Sequence, residues 1–457
     1  MANPNHMGKR FKDYQPNQLL LFPPSPLDWL PADHPVHFIN EVVEELDLSA
    51  IINDYQGRRG QPPYHPVMMV KILVYGYWRG IRSSRKLERA LYEDVGFRYL
   101  SANQQPDFWT IAAFRRRHHK ALGELFVQTV RLAKKAGLVR LEHVAVDGTK
   151  IKANASKHSA MSYGYMEKEE ERLRQEVEQY LKEAEELDRL EDERFGPQSR
   201  GYELPEHLRH PMKRLEAIRK AKAELEAEAR RKAEEKHKPE VEKEKRTPKR
   251  AEQPKPSPRA QYNFTDPDSR IMLSSDKSFI QAYNAQAAVD AQSQIIVAAD
   301  LTNQAADAPH LLPLIEQIEE NLSQRPQEVS ADAGYFSEAN LMELGHLGVE
   351  AFIPPDKVKH TEWRTAEAPK GRIPKNATVR ERMRRKLKTK RGRARYKLRQ
   401  TTVEPVFGQI KQGRGLGQFL LRGLEKVRSS WRFDCAVHNL IKLFRAGVWA
   451  RPEGVRA

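Results

Sequence analysis

The sequence predicts an α/β protein whose mixed sheet is interrupted by a long charged helical insertion and preceded by an all-α segment. Three observations carry that reading. Short apolar runs ending near acidic residues recur on both sides of a stretch, Glu167 to Pro258, that is packed with Glu, Lys, Arg and Ala. Inside that stretch Leu173, Val177, Tyr180, Ala184 and Leu187 follow the alternating four-and-three spacing of a coiled-coil seam. The residues before about 140 offer helix starts and apolar helical runs instead of strand alternation. Four units follow: a helical segment over 1–140, the first part of the α/β core over 141–165, the insertion and a tether over 166–260, and the rest of the core with a basic C-terminal region over 261–457.

In the first unit, Val67 to Trp78 is strongly apolar and follows Pro66, a residue suited to a first helical turn. A second helix, Ser83 to Tyr92, opens on a serine pair and carries Arg85, Lys86 and Arg89, and a third, Phe108 to Ala136, contains Arg115, Arg116 and Arg117. Short helices with basic faces suit a DNA-binding head of helix-turn-helix character. An ordinary helical domain with solvated arginines fits the same pattern.

The core begins with Val144, Val146 and Ile151 around Asp147-Gly148, a strand ending or turning near an acid. Past the first seam, Leu215, Ile218 and Leu225 resume the spacing after a Gly/Pro break, which predicts two helices folded back as a hairpin. Lys236 to Arg259, with five prolines, reads as a flexible tether. Phe279 to Leu301 reads as two strands joined near Asp290 to Ser293, Pro309 to Leu322 as an amphipathic helix, and Glu328 to Tyr335 as a short strand with Asp332 at its end. Val349 to Ile353 is a further strand. Lys370 to Arg399 is basic with little apolar content, a solvated loop able to track a DNA backbone, and Val403 to Lys411 and Leu424 to Phe444 read as helices.

Composition narrows the function. Cys435 is the one cysteine, which excludes a disulfide framework and a cysteine-based zinc site, and His118, His119, His310 and His438 lack zinc-ligand spacing. No apolar run approaches the roughly 20 residues of a membrane span, and the N-terminus has no secretory core segment, so a cytoplasmic, nucleoid-associated protein is expected. The net charge of +17 is uneven: Ala351 to Ala457 holds 28 Lys and Arg against 8 Asp and Glu, the first 140 residues 20 against 13, and the middle is acidic. Basic ends around an acidic middle suit a polyanion binder with a cation site, although a solubilising surface has the same signature. Trp78, Trp109, Trp431 and Trp449 read as core, and Trp363, in a polar basic loop, as a residue able to stack on a base.

Three acids stand where phosphoryl chemistry would want them. Asp147 and Asp332 close apolar strands beside glycines, and Glu404 opens a helical segment. Magnesium takes hard oxygen ligands, and two ions roughly 4 Å apart can stabilise both oxygens of an in-line displacement at phosphorus. A strand-end Asp is more often a turn residue. By the same logic Asp290 is a rival, ranked lower as a hairpin turn, and Asp300 and Asp307 remain supporting candidates.

The strings VDGTKIKAN (Val146 to Asn154), YNAQAAVD (Tyr283 to Asp290), ADAGY (Ala331 to Tyr335) and VEPVFGQIK (Val403 to Lys411) resemble bacterial insertion-sequence transposases of the Asp-Asp-Glu class. The stretch from His34 to His118 resembles the helical domain preceding the core in one branch of them. The resemblance implies a ribonuclease-H-like core with Asp147, Asp332 and Glu404 as catalytic, metal-holding residues for two Mg²⁺ ions, with Mn²⁺ able to substitute. Tyr396, Arg399 and Lys411 resemble a signature that contacts DNA phosphates, with Tyr396 and Arg399 one residue further from Glu404 than the general pattern has them. Glu404 and Lys411 keep the seven-residue step that puts both on one helical face. The implied reaction is hydrolysis at element ends followed by attack of the freed 3′-hydroxyl on target DNA. Its partners are double-stranded terminal repeats and target, bound by a homodimer. A catalytically inactive DNA-binding relative and a nuclease without strand transfer are the alternatives.

Overall fold

The computed structural model describes residues 25–55, 62–195, 206–241, 255–274, 276–357, 371, 373–374 and 376–447. The head is helical: α1 (Pro35–Glu44), α2 (Ser49–Ile52), α3 (Pro66–Trp78), α4 (Ser84–Glu93), α5 (Val95–Leu100), α6 (Phe108–Arg117) and α7 (His119–Lys135). Pro66 sits in the first turn of α3, where its missing N–H costs nothing, and ten residues of that helix are buried. The single helix expected over Phe108 to Ala136 is two. It breaks at His118 (φ −102°, ψ 19°), whose buried ring packs on Phe114 and meets the Tyr55 hydroxyl at 3.2 Å. Trp109 is 65% exposed, which corrects its expected place in the core, whereas Trp431 is fully buried. Trp363 and Trp449 lie outside the described residues.

The sheet contains β1 (His143–Lys152), β4 (Arg270–Leu273), β5 (Phe279–Asp290), β6 (Ile296–Thr302), β7 (Glu328–Ser330) and β8 (Glu350–Phe352), while β2 (Ala160–Ser162) and β3 (Gln261–Asn263) form a separate ribbon. Its order is β4-β5-β1-β7-β8, with β6 sharing the outer edge of β5 with β4. β5 runs antiparallel to β1, whereas β7 is parallel to β1 and β8 parallel to β7. This mixed order is the ribonuclease-H-like core the sequence led one to expect. One expectation changes: β1 neither ends nor turns at Asp147. Asp147 pairs with Ala287 and Gly148 with Gln286, because the ladder to β5 continues as far as Lys152.

The insertion is a helical hairpin, α8 (Tyr163–Phe195) and α9 (Glu206–Val241). Met166, Leu173, Leu215, Ile218, Ala221 and Leu225 bury its seam, and Val177 and Tyr180 are half-buried. The side chains of Ala184 and Leu187, and most of the expected tether, lie outside the described residues. Glu170 bridges to Arg219 at 3.1 Å and Lys222 at 2.7 Å, and Glu169 to Arg214 at 3.0 Å. The hairpin stands on the β2–β3 ribbon, where the Tyr163 N–H donates to the Ala260 carbonyl at 2.7 Å.

Helices α10 (Leu311–Leu322) and α11 (Glu338–His346) flank β7. The basic stretch expected as a loop is, from Val379 onward, helical: α12 (Val379–Lys388) and α13 (Lys390–Thr401), then α14 (Val403–Gly408), a π-helical segment (Gln409–Gly413) and α15 (Leu424–Arg445). Some of its cations pair with carboxylates of the core. Arg391 pairs with Glu328 and Glu350, Arg395 with Glu328, Lys386 with Glu350 and Arg384 with Asp356, at 2.5–2.9 Å.

Head and core share one hydrophobic cluster that runs from Val36 to Leu443, with α7 lying along α15. A buried charge junction crosses the same seam. Arg82 bonds Asp434 on α15 at 2.5 Å and also donates to the Arg414 carbonyl. Burial pushes Arg414 down to about 10 and holds His438, within 3.5 Å of Arg414, neutral. Removing one partner of a buried pair leaves an uncompensated charge, so Asp434→Ala should lose about 3–5 kcal/mol in chemical denaturation. His438 has a folded pKa depressed below 6.5, so its contribution is present above pH 6.5 and is lost as pH falls towards the folded value. Between pH 7.5 and pH 5.5 the thermal midpoint of the wild type should therefore fall more than that of His438→Gln, and parallel profiles would contradict a neutral buried His438.

Candidate active site

The three acids come from three separate segments. Asp147 lies in the middle of β1 and Asp332 just past the end of β7, where its Oδ1 accepts from the Gly334 N–H at 2.8 Å and caps a 3-10 turn, Ala333–Tyr335. Glu404 lies in the first turn of α14 and is exposed. The fold brings their charges within reach of one another. The Asp147 carboxyl is pushed up to about 6, first by burial and further by the Asp332 and Glu404 charges, while Arg399 and the Gly148 N–H draw it down.

Arg399 is the cation of this site. Its Nη2 donates to Asp147 Oδ2 at 2.9 Å, and its hydroxyl neighbour Tyr396 lies at 3.4 Å. Burial is the largest influence and works against the Arg399 charge, but Asp147, Tyr396, Asp332 and Glu404 together raise its pKa. Its Nε is buried without a hydrogen-bond partner among the described residues, so the guanidinium is under-satisfied. Lys411 donates to Thr149 Oγ1 at 3.0 Å and to the Lys150 carbonyl at 3.3 Å, and burial lowers its pKa. The π-helical turn between Glu404 and Lys411 breaks the plain two-turn step expected for that pair.

The donor set suits a hard divalent cation: three carboxylates, no sulfur, and no histidine. As placed, no three acidic, histidine or cysteine side chains among the described residues converge to hold one ion. Of the three acids Asp147 is paired with a cation, Arg399 at 2.9 Å, while Lys150 pairs with Asp307 at 3.2 Å. Acids brought this near one another fit a cation.

The other candidates sort themselves by geometry. Asp290 accepts from the Leu141 and Gln292 N–H groups at 2.8 and 3.0 Å, a turn residue as expected, and Asp300 pairs with Arg428 at 2.8 Å. Asp307 sits beside Gly148 and Gly334. In the head, Arg115 is buried, donating to the Arg82 carbonyl at 2.6 Å and to Ser84 at 3.1 Å, so it does not face DNA in this arrangement. Arg117 pairs with Asp54 at 2.5 Å, and Arg116 is exposed. Sequence reasoning missed the Arg399–Asp147 pair and the polar side chains of β5, Asn284 and Gln286. The YNAQAAVD string itself held the signal for the latter, since two amides inside an otherwise apolar strand need a reason.

A sheet of this order, antiparallel between β5 and β1 and parallel from β1 through β7 to β8, defines the ribonuclease-H-like class of core. Residues 24–117 match a transposase domain (DUF772) and residues 268–440 match a transposase DDE domain. The chain is an insertion-sequence transposase of the DDE class. Asp332 and Glu404 fall inside the second match, and Asp147, outside both, joins them through the pairing of β1 with β5 and β7. No curated protein and no solved structure matches the chain.

Gly148 has no room for a side chain. A Cβ there would lie 2.5 Å from Gln286 Nε2 and 3.0 Å from both Asn284 Oδ1 and Asp307 Oδ1. Gly148→Ala should destabilise the protein by about 1–3 kcal/mol through overpacking, read as a shifted denaturation midpoint. An unchanged midpoint would mean that these side chains can give way.

Proposed function

We propose that this transposase cleaves DNA at the ends of its element and joins the freed strand to target DNA, with Asp147, Asp332 and Glu404 holding two divalent cations, Mg²⁺ or Mn²⁺. The observation that carries the reading is the approach of Asp332 and Glu404, from segments far along the chain, to Asp147 in the middle of β1, whose carboxyl is raised first by burial and further by their charges. When bound, the cations would supply an activated water nucleophile and neutralise charge on the leaving oxygen.

The chain's own side chains serve the same chemistry. Arg399, under-satisfied on Asp147, is poised to take a phosphate as partner, and Lys411, held on Thr149 further along β1, is a second cation for phosphate oxygens. Tyr396 lies alongside Arg399 and steadies its guanidinium. Exposed Arg116 of α6 and Arg85 and Lys86 of α4 supply a DNA-backbone surface in the head, whose affinity should fall with salt. Two ends must be held together for strand transfer, so a homodimer on DNA belongs to this proposal. Among the described residues no helix is long and apolar enough to cross a membrane.

The test is cleavage and joining of a labelled duplex carrying the element's terminal repeats, with and without magnesium. Wild type should cut and join. Asp147→Ala, Asp332→Ala and Glu404→Ala should each still bind the duplex and lose both steps by about a hundredfold or more. A variant that keeps its activity would remove that residue from the site, and cutting without joining would make the protein a nuclease.

A further inference from the structure

The two faces of β1 carry different chemistry. Neighbouring residues on a strand point to opposite sides, so Asp147 faces α13 and Arg399 while Gly148 and Lys150 face the other way, together with Asn284 and Gln286 of β5. On that second face lies Asp307, the residue before a 3-10 turn (Ala308–His310). It stands at the position where an Asp ordinarily caps the turn, yet its side chain makes no capping bond. The carboxylate is used elsewhere. Oδ1 accepts from Asn284 Nδ2 at 2.7 Å, Gln286 Nε2 at 2.9 Å and Lys150 Nζ at 3.2 Å. Oδ2 is turned towards Gly334, 3.2 Å from where a Cβ would sit.

Gln286 is a bar with two ends. Its amide nitrogen holds Asp307, and its Oε1 accepts from the hydroxyl of Tyr335, which is fully buried. Tyr335 closes the turn that Asp332 opens, its N–H donating to the Asp332 carbonyl at 3.2 Å. Asn340 then ties the two loops together, donating to the Ala308 carbonyl at 2.8 Å and the Tyr335 carbonyl at 3.1 Å. Two groups that burial would otherwise penalise, the Gln286 amide and the Tyr335 phenol, are thus satisfied in one chain that runs from Asp307 to the Asp332 turn, while Asn284 gives it only its Nδ2 and its own buried Oδ1 has no partner among the described residues. A packing role alone would need neither the hydroxyl nor the charge.

We propose that Asp307 and Tyr335 are positioning residues for Asp332, acting through Gln286 from the face of the sheet opposite Asp147. The inference rests on the reading of Asp332 as a cation-holding carboxylate. Asp307 and Tyr335 fix the direction of that carboxylate without touching the cation. Changing such a supporting partner typically weakens metal affinity 10–100-fold.

The test is direct Mn²⁺ binding to the full-length protein, followed by the electron paramagnetic resonance signal of free Mn²⁺, beside thermal midpoints without metal. The proteins are wild type, Asp332→Asn, Tyr335→Phe, Asp307→Asn and the double variant Asp332→Asn/Tyr335→Phe. Tyr335→Phe and Asp307→Asn should each raise the dissociation constant about 10–100-fold. Tyr335→Phe should add almost nothing on top of Asp332→Asn, because it acts through that residue. If Asp332→Asn leaves Mn²⁺ binding unchanged, the reading of the site itself fails. If Asp332→Asn weakens binding while Tyr335→Phe and Asp307→Asn bind like wild type, or if the two changes in the double variant add in full, the positioning role is overturned. Should one single variant fail to fold, the other decides.

Discussion

The parallel pairing of β1 with β7 stops at Ala145 and Ser330, two residues short of Asp147 on one strand and of Asp332 on the other. The site follows from that early end. β1 continues against β5 on its other side, so Asp147 stays on a rigid strand, while the chain leaving β7 is free to turn at Asp332 and meet it. Had the ladder run on, Asp332 would have been fixed in the pleat beside β1 and no gap would exist for α13 and α14 to approach. The same opening explains Gly148 and Gly334, which line it where side chains would collide with Gln286 or with the Asp307 carboxylate.

Charge then helps to place α12 and α13 on the sheet. Glu328 and Glu350, on β7 and β8, lie at the margin of the sheet, and Arg391, Arg395 and Lys386 converge on them. Glu328 is additionally shared with the buried His143 ring at 3.1 Å. Helices α12 and α13 bury few apolar side chains, chiefly Met383 and Leu387, so their place on the sheet depends on these pairs. Arg399 continues the row inward to Asp147. One ladder of cations thus anchors the helices at its outer end and balances the acidic site at its inner end.

How much of this could be read beforehand depends on whether a signal was local. The β5–β6 hairpin, α10 and the acid after β7 are written as apolar runs with plain punctuation, and they stand where the sequence put them. The insertion hairpin was equally legible, because seam residues such as Leu173 and Ile218 keep their spacing. What escaped depends on partners far along the chain. Asp147-Gly148 looks like a strand end until β5 supplies the other side of the ladder, and Lys370 to Arg399 looks solvated until Glu328 and Glu350 are seen. Arg115 looks like a surface cation until Ser84 and the Arg82 carbonyl claim it. Of the candidate site, residue types were legible and their mutual arrangement was not: nothing in spacing tells that Arg399 lies on Asp147.

The hairpin insertion leaves the core and returns to it at nearly one point. The Tyr163 and Gly164 N–H groups bond the Ala260 and Pro258 carbonyls, so entry and exit strands are stitched together before either helix begins its climb. The hairpin buries its seam in a small cluster of its own, apart from the main core, and Arg270 of β4 pairs with Glu228 of α9 at 3.0 Å. A fluorescent or affinity module grafted between α8 and α9 would report on the enzyme from a distance while leaving the strands beneath it undisturbed.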